Sequence, residues 1–136
     1  MSLINKFCKT NEIKRKKIII LFNHLNKILK SKKDSVLFIN MLIKDIILSG
    51  TTKKHINVLI SILNKTLTKD WFNYKTFLII CEICPFFGLN ISRLLGLSIS
   101  DAKKILVENE MRNESLFNLM FRQLKDDCMV DYMING

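Results

Sequence analysis

The segment from Trp71 to Leu89, WFNYKTFLIICEICPFFGL, constrains the fold of this chain more than any other stretch. Between Phe77 and Phe87 its only charged residue is Glu82. A surface helix would show one apolar stripe and one polar face, and a bilayer span would need about 20 apolar residues. We therefore predict a helix that is buried on all sides at the centre of a helical bundle.

Composition indicates a single all-α domain. The 136 residues suffice for one domain with a core, and no linker rich in Gly, Pro or Ser divides them. One proline and four glycines are too few for the many turns of an all-β fold. We predict one helical domain over residues 1–136, in which residues 1–10 are flexible.

The net charge of +10 comes entirely from the first half of the chain. Residues 1–69 contain 15 Lys or Arg and three Asp or Glu, a balance of +12, whereas residues 70–136 contain seven basic and nine acidic residues, a balance of −2. A run such as KRKK at 14–17 can attract nucleic acid, anionic lipid or an acidic protein. A solvated helix face explains the same run, and on sequence grounds we favour it.

The four cysteines, Cys8, Cys81, Cys84 and Cys128, are expected to be reduced thiols. No apolar stretch near the start is long enough for a secretory leader, which predicts an intracellular protein. Cys81 and Cys84 have the CxxC spacing, but they lie in an apolar helical run, whereas a redox pair needs a helix N-terminus after a strand. Zinc would need further ligands at close spacing, and the other cysteines and histidines are scattered. We predict core packing, with no metal and no cofactor.

Helical periodicity predicts six to seven helices. The first predicted helix covers about residues 11–30. The next three run from a cap at 34–35 to Gly50, from 51–52 to 67, and through the central segment. Two further helices, over 91–95 and 98–108, lie on either side of Gly96, and the last covers 114 to about 133. Thr68 or Asp70 is expected to cap the central helix, and Asn113 the last one. Pro85 should bend or stop the central helix, because proline lacks an amide proton.

No arrangement of residues predicts catalysis. Glu82 is the only carboxylate near the middle of the central segment, and both histidines occupy amphipathic positions with polar neighbours. The four glycines are isolated, so no phosphate-binding loop is present in the sequence. We expect a protein without enzymatic activity.

The stretch 90–105, NISRLLGLSISDAKKI, has the pattern of a helix-turn-helix. The small residue Ser92 lies four positions before the turn glycine Gly96, and Ala102 and Ile105 would bury the second helix. The basic first half would then contact phosphates. The residues expected at the major groove are Ser100, Asp101, Lys103 and Lys104. Because residues 70–136 are net acidic and any glycine turn between two helices produces this pattern, DNA binding is kept as an alternative.

A larger part of the chain, residues 24–88 and 114–134, resembles the poxvirus Bcl-2-like proteins. LNKIL at 25–29 and KDSVLFINMLIKD at 33–45 are similar to the second helix of that family. FLIIC at 77–81 and its continuation to Gly88 look like the central helix of the family, and ESL at 114–116 with VDY at 130–132 resembles its last helix. The resemblance implies an all-α, Bcl-2-like bundle of six to seven helices around a central apolar helix. Residues 1–23 contain no clear counterpart of the first helix, on which several members dimerise.

The resemblance implies binding rather than catalysis. Members of the family are virulence factors that block host innate immune signalling and, in some cases, apoptosis. Apoptosis inhibitors hold an amphipathic helix in a groove, whereas signalling inhibitors use an outer face to sequester adaptors or kinases. The end of the chain, KDDCMVDYMING, contains no apolar tail that could span a membrane. We predict a protein of the host cytoplasm, without a membrane span, that binds host signalling proteins and inhibits NF-κB or interferon signalling. A homodimer is compatible with the resemblance.

An anti-apoptotic protein that holds pro-apoptotic helices in a groove is the alternative within the family. Six residues are expected to line such a groove: Phe38, Leu42, Ile46, Leu59, Leu63 and Phe72. Ordinary bundle core is the competing interpretation for each of them, because they recur with helical spacing.

Overall fold

A computed structural model describes residues 3–10, 15–69, 71–108, 111–112, 116–123 and 125, and most of these residues are helical. The helices are α1 (Leu3–Thr10), α2 (Arg15–Leu29), α3 (Lys32–Ser49), α4 (Lys53–Leu67), α5 (Tyr74–Ile83), α6 (Pro85–Leu94) and α7 (Ile99–Glu108). Residues 116–123 and 125 are also helical. The predicted all-α class is confirmed.

One short antiparallel ladder joins β1 (Trp71–Phe72) to β2 (Met111–Arg112). Trp71 is opposite Arg112 and Phe72 is opposite Met111. The ring of Phe72 is buried and meets the ring of Phe77 edge to face, with centroids 6.3 Å apart. Two residues on each side make a clasp rather than a sheet layer, so the architecture is still that of a helical bundle.

The ends of α3 and α4 follow from local capping chemistry. The Ser31 hydroxyl accepts a hydrogen bond from the Asp34 amide at 3.2 Å, so the cap of α3 lies three residues before the predicted cap at 34–35. At the other end, Gly50 adopts a left-handed φ of 63° and closes α3, as predicted. Thr52 then accepts the His55 amide at 3.3 Å and caps α4, which confirms the helix start at 51–52.

The apolar segment 71–89 forms two helices, so the prediction of a single helix there is wrong. Asn73 caps α5 by accepting the Thr76 amide at 3.0 Å. Cys84 leaves the helical conformation, with φ −143° and ψ 76°, and Pro85 is the first residue of α6. Proline disfavours the helical conformation in the residue before it and needs no amide partner in the first turn, so it ends one helix and begins the next. The position of this break agrees with the expectation that Pro85 stops the helix.

Thr68, one of the two residues predicted to cap the central helix, does not cap it. Thr68 is the C-cap of α4, and its hydroxyl donates to the Lys65 carbonyl at 2.7 Å. Asp70 and Asn113 lie outside the described residues, as do residues 11–14 of the first predicted helix, which is described from Arg15. The short helix expected over 91–95 is the end of α6, and the helix expected over 98–108 is α7.

The 71–89 segment is also not buried on all sides. Ile79, Phe86 and Leu89 are among the exposed large apolar residues, and Glu82 is exposed. Helix α3 has the largest set of buried residues: Ser35, Phe38, Ile39, Met41, Leu42, Ile43, Asp45 and Ile46. Each of α5 and α6 presents one face to the core and the other to solvent, because the break at Cys84 turns the chain before a long central helix can form.

Aromatic contacts from Phe38 join three parts of the bundle. Its ring meets Phe87 of α6 edge to face, with centroids 6.3 Å apart, and Phe117 at 5.4 Å. The N-terminal residues also join this core, since Phe7 and Cys8 of α1 are buried and α1 packs against α3. Residues 3–10, which belong to the segment expected to be flexible, thus form a helix that packs against the bundle.

Candidate protein-binding surface

All six residues predicted to line a partner groove lie in the core. None of them is more than 2% exposed, and they belong to a single cluster of buried side chains. The structure therefore brings them together, but as packed core residues and not as the walls of an open groove. Their burial agrees with the competing interpretation of ordinary bundle core, since helical spacing places a side chain on the inner face of a helix and the neighbouring helices cover that face here. The groove assignment itself stays a prediction.

One depression on the surface has a volume of about 750 Å³. It lies between the start of α3 and the helical residues 116–123, and it is lined by Asp34, Arg122 and Lys125 together with apolar side chains. None of the six predicted groove residues lines it. Its mixed polar lining does not offer the continuous apolar floor that an amphipathic helix needs.

Exposed apolar side chains occur where the end of α3 meets the start of α6. Leu48, Phe86 and Leu89 are 64%, 43% and 48% exposed, and together we call them the α3–α6 surface. The Phe86 amide donates to the hydroxyl of Ser49, the residue after Leu48, at 3.0 Å. This bond holds the start of α6 beside the end of α3. A second bond runs from the Thr51 hydroxyl to the Ile83 carbonyl at 3.0 Å. These apolar side chains are therefore carried by helix ends that hydrogen bonds hold together.

A buried carboxylate joins the same two helices. Asp45 of α3 is 4% exposed, and the Asn90 side-chain amide of α6 donates to its two oxygens at 2.8 and 2.7 Å. The Arg93 Nε donates to the Asn90 Oδ1 at 3.2 Å, which orients the amide toward Asp45. Burial raises the pKa of Asp45, and the Asn90 hydrogen bonds and the Arg93 charge oppose that shift. Asn90, the partner of Asp45, left no periodic signal in the sequence.

The CxxC pair consists of free thiols at the break between α5 and α6. Cys84 is fully buried and its Sγ lies 3.5 Å from the Ser49 hydroxyl. Cys81 packs against Gly88, where an added Cβ would come within 2.6 Å of the Cys81 Sγ. Burial raises the pKa of the Cys81 thiol, with a smaller opposing effect from Lys103. A raised pKa favours the neutral thiol, which is the opposite of what a redox or nucleophilic cysteine requires.

Metal-binding side chains do not cluster in the part of the chain that the structure describes. No group of three or more His, Cys, Asp or Glu residues there is placed to hold an ion. Cys8 is buried in α1, and burial raises the pKa of its thiol, against a lowering effect of Arg15. Cys128 lies outside the described residues.

The predicted helix-turn-helix is present as two helices joined by a glycine turn. Gly96 has a φ of 73°, and the Leu97 amide donates to the Ser92 carbonyl at 2.9 Å. Ala102 is buried as expected, but Ile105 is exposed and Leu106 is buried in its place. Of the residues expected at DNA, Ser100, Asp101 and Lys104 are exposed and Lys103 is half-buried. DNA binding by α7 stays a prediction.

None of the described helices is both long enough and apolar enough to cross a bilayer.

Comparisons with known proteins do not assign the chain to a family. No protein-family model, curated protein or solved structure matches it. The resemblance to the poxvirus Bcl-2-like proteins is thus a hypothesis that depends on the stretches of sequence quoted above.

Proposed function

We propose that this chain binds a host signalling protein in the host cytoplasm and thereby inhibits NF-κB or interferon signalling. The observation that carries the proposal is the α3–α6 surface, where Leu48, Phe86 and Leu89 are between 43% and 64% exposed. Large apolar side chains that stay exposed on adjoining helix ends are candidates for a site where another protein binds, because a few such anchors can supply most of the binding energy. The resemblance of the sequence to the poxvirus Bcl-2-like proteins supports a host signalling protein as the partner.

The packing of the core favours an outer binding face over a groove. A groove lined by the six predicted residues would require side chains that are now at most 2% exposed to leave the core. Exposing a buried apolar side chain costs roughly 1.5–3 kcal/mol, so exposing all six would cost on the order of 10 kcal/mol. That is comparable to the whole stability of a typical domain, about 5–15 kcal/mol. Inhibition of innate signalling is therefore placed before the anti-apoptotic alternative.

A reporter assay in cells tests the proposal. The chain should reduce transcription from NF-κB or interferon promoters after receptor stimulation. The variant Leu48→Ser/Phe86→Ser/Leu89→Ser should lose that effect, because removing three apolar anchors weakens a protein interface by at least about 100-fold.

The matched control changes three exposed apolar residues away from the α3–α6 surface, Val36→Ser/Ile79→Ser/Ile105→Ser. It should keep the inhibition, and circular dichroism should show both variants folded. Failure of the folded wild type to inhibit either promoter would overturn the proposal. In that case, micromolar binding to a member of a panel of death-motif peptides would favour the anti-apoptotic alternative.

A further inference from the structure

Helices α2 and α4 carry charge of one sign. Together they contain seven Lys or Arg residues, and neither sequence contains an Asp or a Glu. The two helices pack against each other, and the Asn64 side chain of α4 donates to the Lys17 carbonyl of α2 at 3.3 Å. The basic residues of two separate sequence segments thus meet on one part of the molecule.

The exposed stripes of the two helices repeat the same pattern. On α2, Lys16, Ile20, Asn23 and Lys27 are exposed at helical spacing, and on α4, Lys54, Val58, Ser61 and Lys65 are exposed at the same intervals. Each stripe has a lysine at both ends, with a β-branched apolar residue and a small polar residue between them. These eight residues are called the α2–α4 face.

Contacts under this face place the two stripes side by side. Lys16 precedes Lys17 and Lys65 follows Asn64, and those two neighbours are joined by the hydrogen bond between the helices. The opposite sides of both helices are buried, with Ile18 and Leu21 of α2 and Leu59 of α4 in the core. The lysines therefore project from a face whose backbone is fixed by core packing.

The chemistry of the α2–α4 face fits a lipid surface better than a nucleic acid. Ile20 and Val58 are each 38% exposed between the lysines, and Ile19 beside them is 47% exposed. Interfacial helices combine apolar side chains, which enter the headgroup region, with lysines whose long stems carry the ammonium to anionic headgroups. Nucleic-acid surfaces use arginine and aromatic side chains for base contacts and stacking, and the eight residues of this face include neither.

We propose that the α2–α4 face binds the surface of anionic lipid bilayers. The positive charge of the face is complementary to acidic headgroups, and each lysine near such a surface strengthens binding by about fivefold. Ile19, Ile20 and Val58 supply a contribution that does not depend on charge. The proposal uses helices other than those of the α3–α6 surface, so it stands or falls independently of the proposed function.

Cosedimentation of the full chain with vesicles tests the proposal. The chain should bind vesicles of equal parts phosphatidylcholine and phosphatidylserine, and should not bind vesicles of phosphatidylcholine alone. Lys16→Gln/Lys65→Gln should weaken binding by about 25-fold. The control Lys103→Gln/Lys104→Gln removes the same charge from α7 and should change binding by less than about twofold, since exposed charges act only over about a Debye length.

A third variant separates the lipid surface from a simple polyanion site. Ile19→Ser/Ile20→Ser keeps the net charge and changes only exposed side chains, and it should weaken vesicle binding by about tenfold. The proposal is wrong if the wild type does not bind the phosphatidylserine vesicles, or if the two lysine variants weaken binding equally. It is also wrong if the isoleucine variant binds like the wild type and duplex DNA displaces the vesicles, which would indicate a nucleic-acid surface.

Discussion

Burial and hydrogen bonding act in opposite directions on the carboxylate of Asp45. Burial favours its protonated form and raises its pKa, while two hydrogen bonds from Asn90 and the charge of Arg93 favour the ionised form. The raised pKa means that the folded state holds the proton more tightly than the unfolded state. The contribution of this group to stability is therefore greatest below the ordinary aspartate pKa, and it is lost as the pH rises through the raised value.

Asn90→Leu should destabilise the protein at neutral pH by about 2–3 kcal/mol, because an ionised buried carboxylate loses both of its donors. Urea denaturation measures this change. Asn57→Leu is the control, since the Asn57 amide bonds only the Lys53 carbonyl on an exposed face, and it should cost less than about 0.5 kcal/mol.

The pH dependence of the Asn90→Leu effect identifies its cause. As the pH falls through the raised pKa of Asp45, the carboxyl becomes neutral and the loss of stability should shrink. In an Asp45→Asn background the effect of Asn90→Leu should no longer vary with pH in that range. A loss of stability that is constant with pH in both backgrounds would show that Asn90 contributes packing alone.

The position of a helix end depends on which side chain bonds which backbone amide, and the sequence located only some of the helix ends correctly. Gly50 and Thr52 were identified correctly, because a left-handed glycine and a capping threonine act on the backbone next to them. The start of α5 was placed too early, because Thr68 and Asn73 are both good capping types and both stand near the apolar run. The chain enters the β1 clasp between them, so only Asn73 is placed to cap α5.

Asn73→Ala should destabilise the protein by about 1 kcal/mol, because the Thr76 amide loses its acceptor. Thr68→Ala removes a hydroxyl that only bonds an exposed carbonyl, and it should cost less than about 0.5 kcal/mol. Thermal or chemical unfolding of the two variants gives the comparison. Equal losses, or a larger loss for Thr68→Ala, would contradict the assignment of Asn73 as the cap.

Across the whole molecule, one cluster of buried side chains extends from α1 to the helical residues 116–123. Phe7 of α1 is 4% exposed in this cluster, although the basic N-terminal sequence predicted a flexible segment. A helix as short as α1 is not stable in isolation, so its order depends on contacts with α3 that local sequence does not reveal.

Phe7→Ala should therefore destabilise the protein by about 3–5 kcal/mol, as expected for a buried phenylalanine. Lys6→Ala, at the exposed neighbouring position, should change stability by less than about 0.5 kcal/mol. The free energy of unfolding from denaturant titration measures both variants. If Phe7→Ala unfolds at the same denaturant concentration as the wild type, α1 does not contribute to the core.

Sequence by itself determined the all-α class, the break at Pro85, the ends marked by Gly50 and Thr52, and the concentration of positive charge in the first half. These features depend on propensity, capping and composition, which act between neighbours in the chain. Only the tertiary structure decided that the predicted groove residues form a closed core, that α3 and not the 71–89 segment has the most buried residues, and that Asn90 meets Asp45 across 45 positions. The tertiary structure alone also showed that the exposed stripes of α2 and α4 lie on one face. The physical reason is that the exposure of a side chain depends on which distant helices cover it. Periodicity in the sequence shows which face of a helix is apolar, but not which other helix packs against that face.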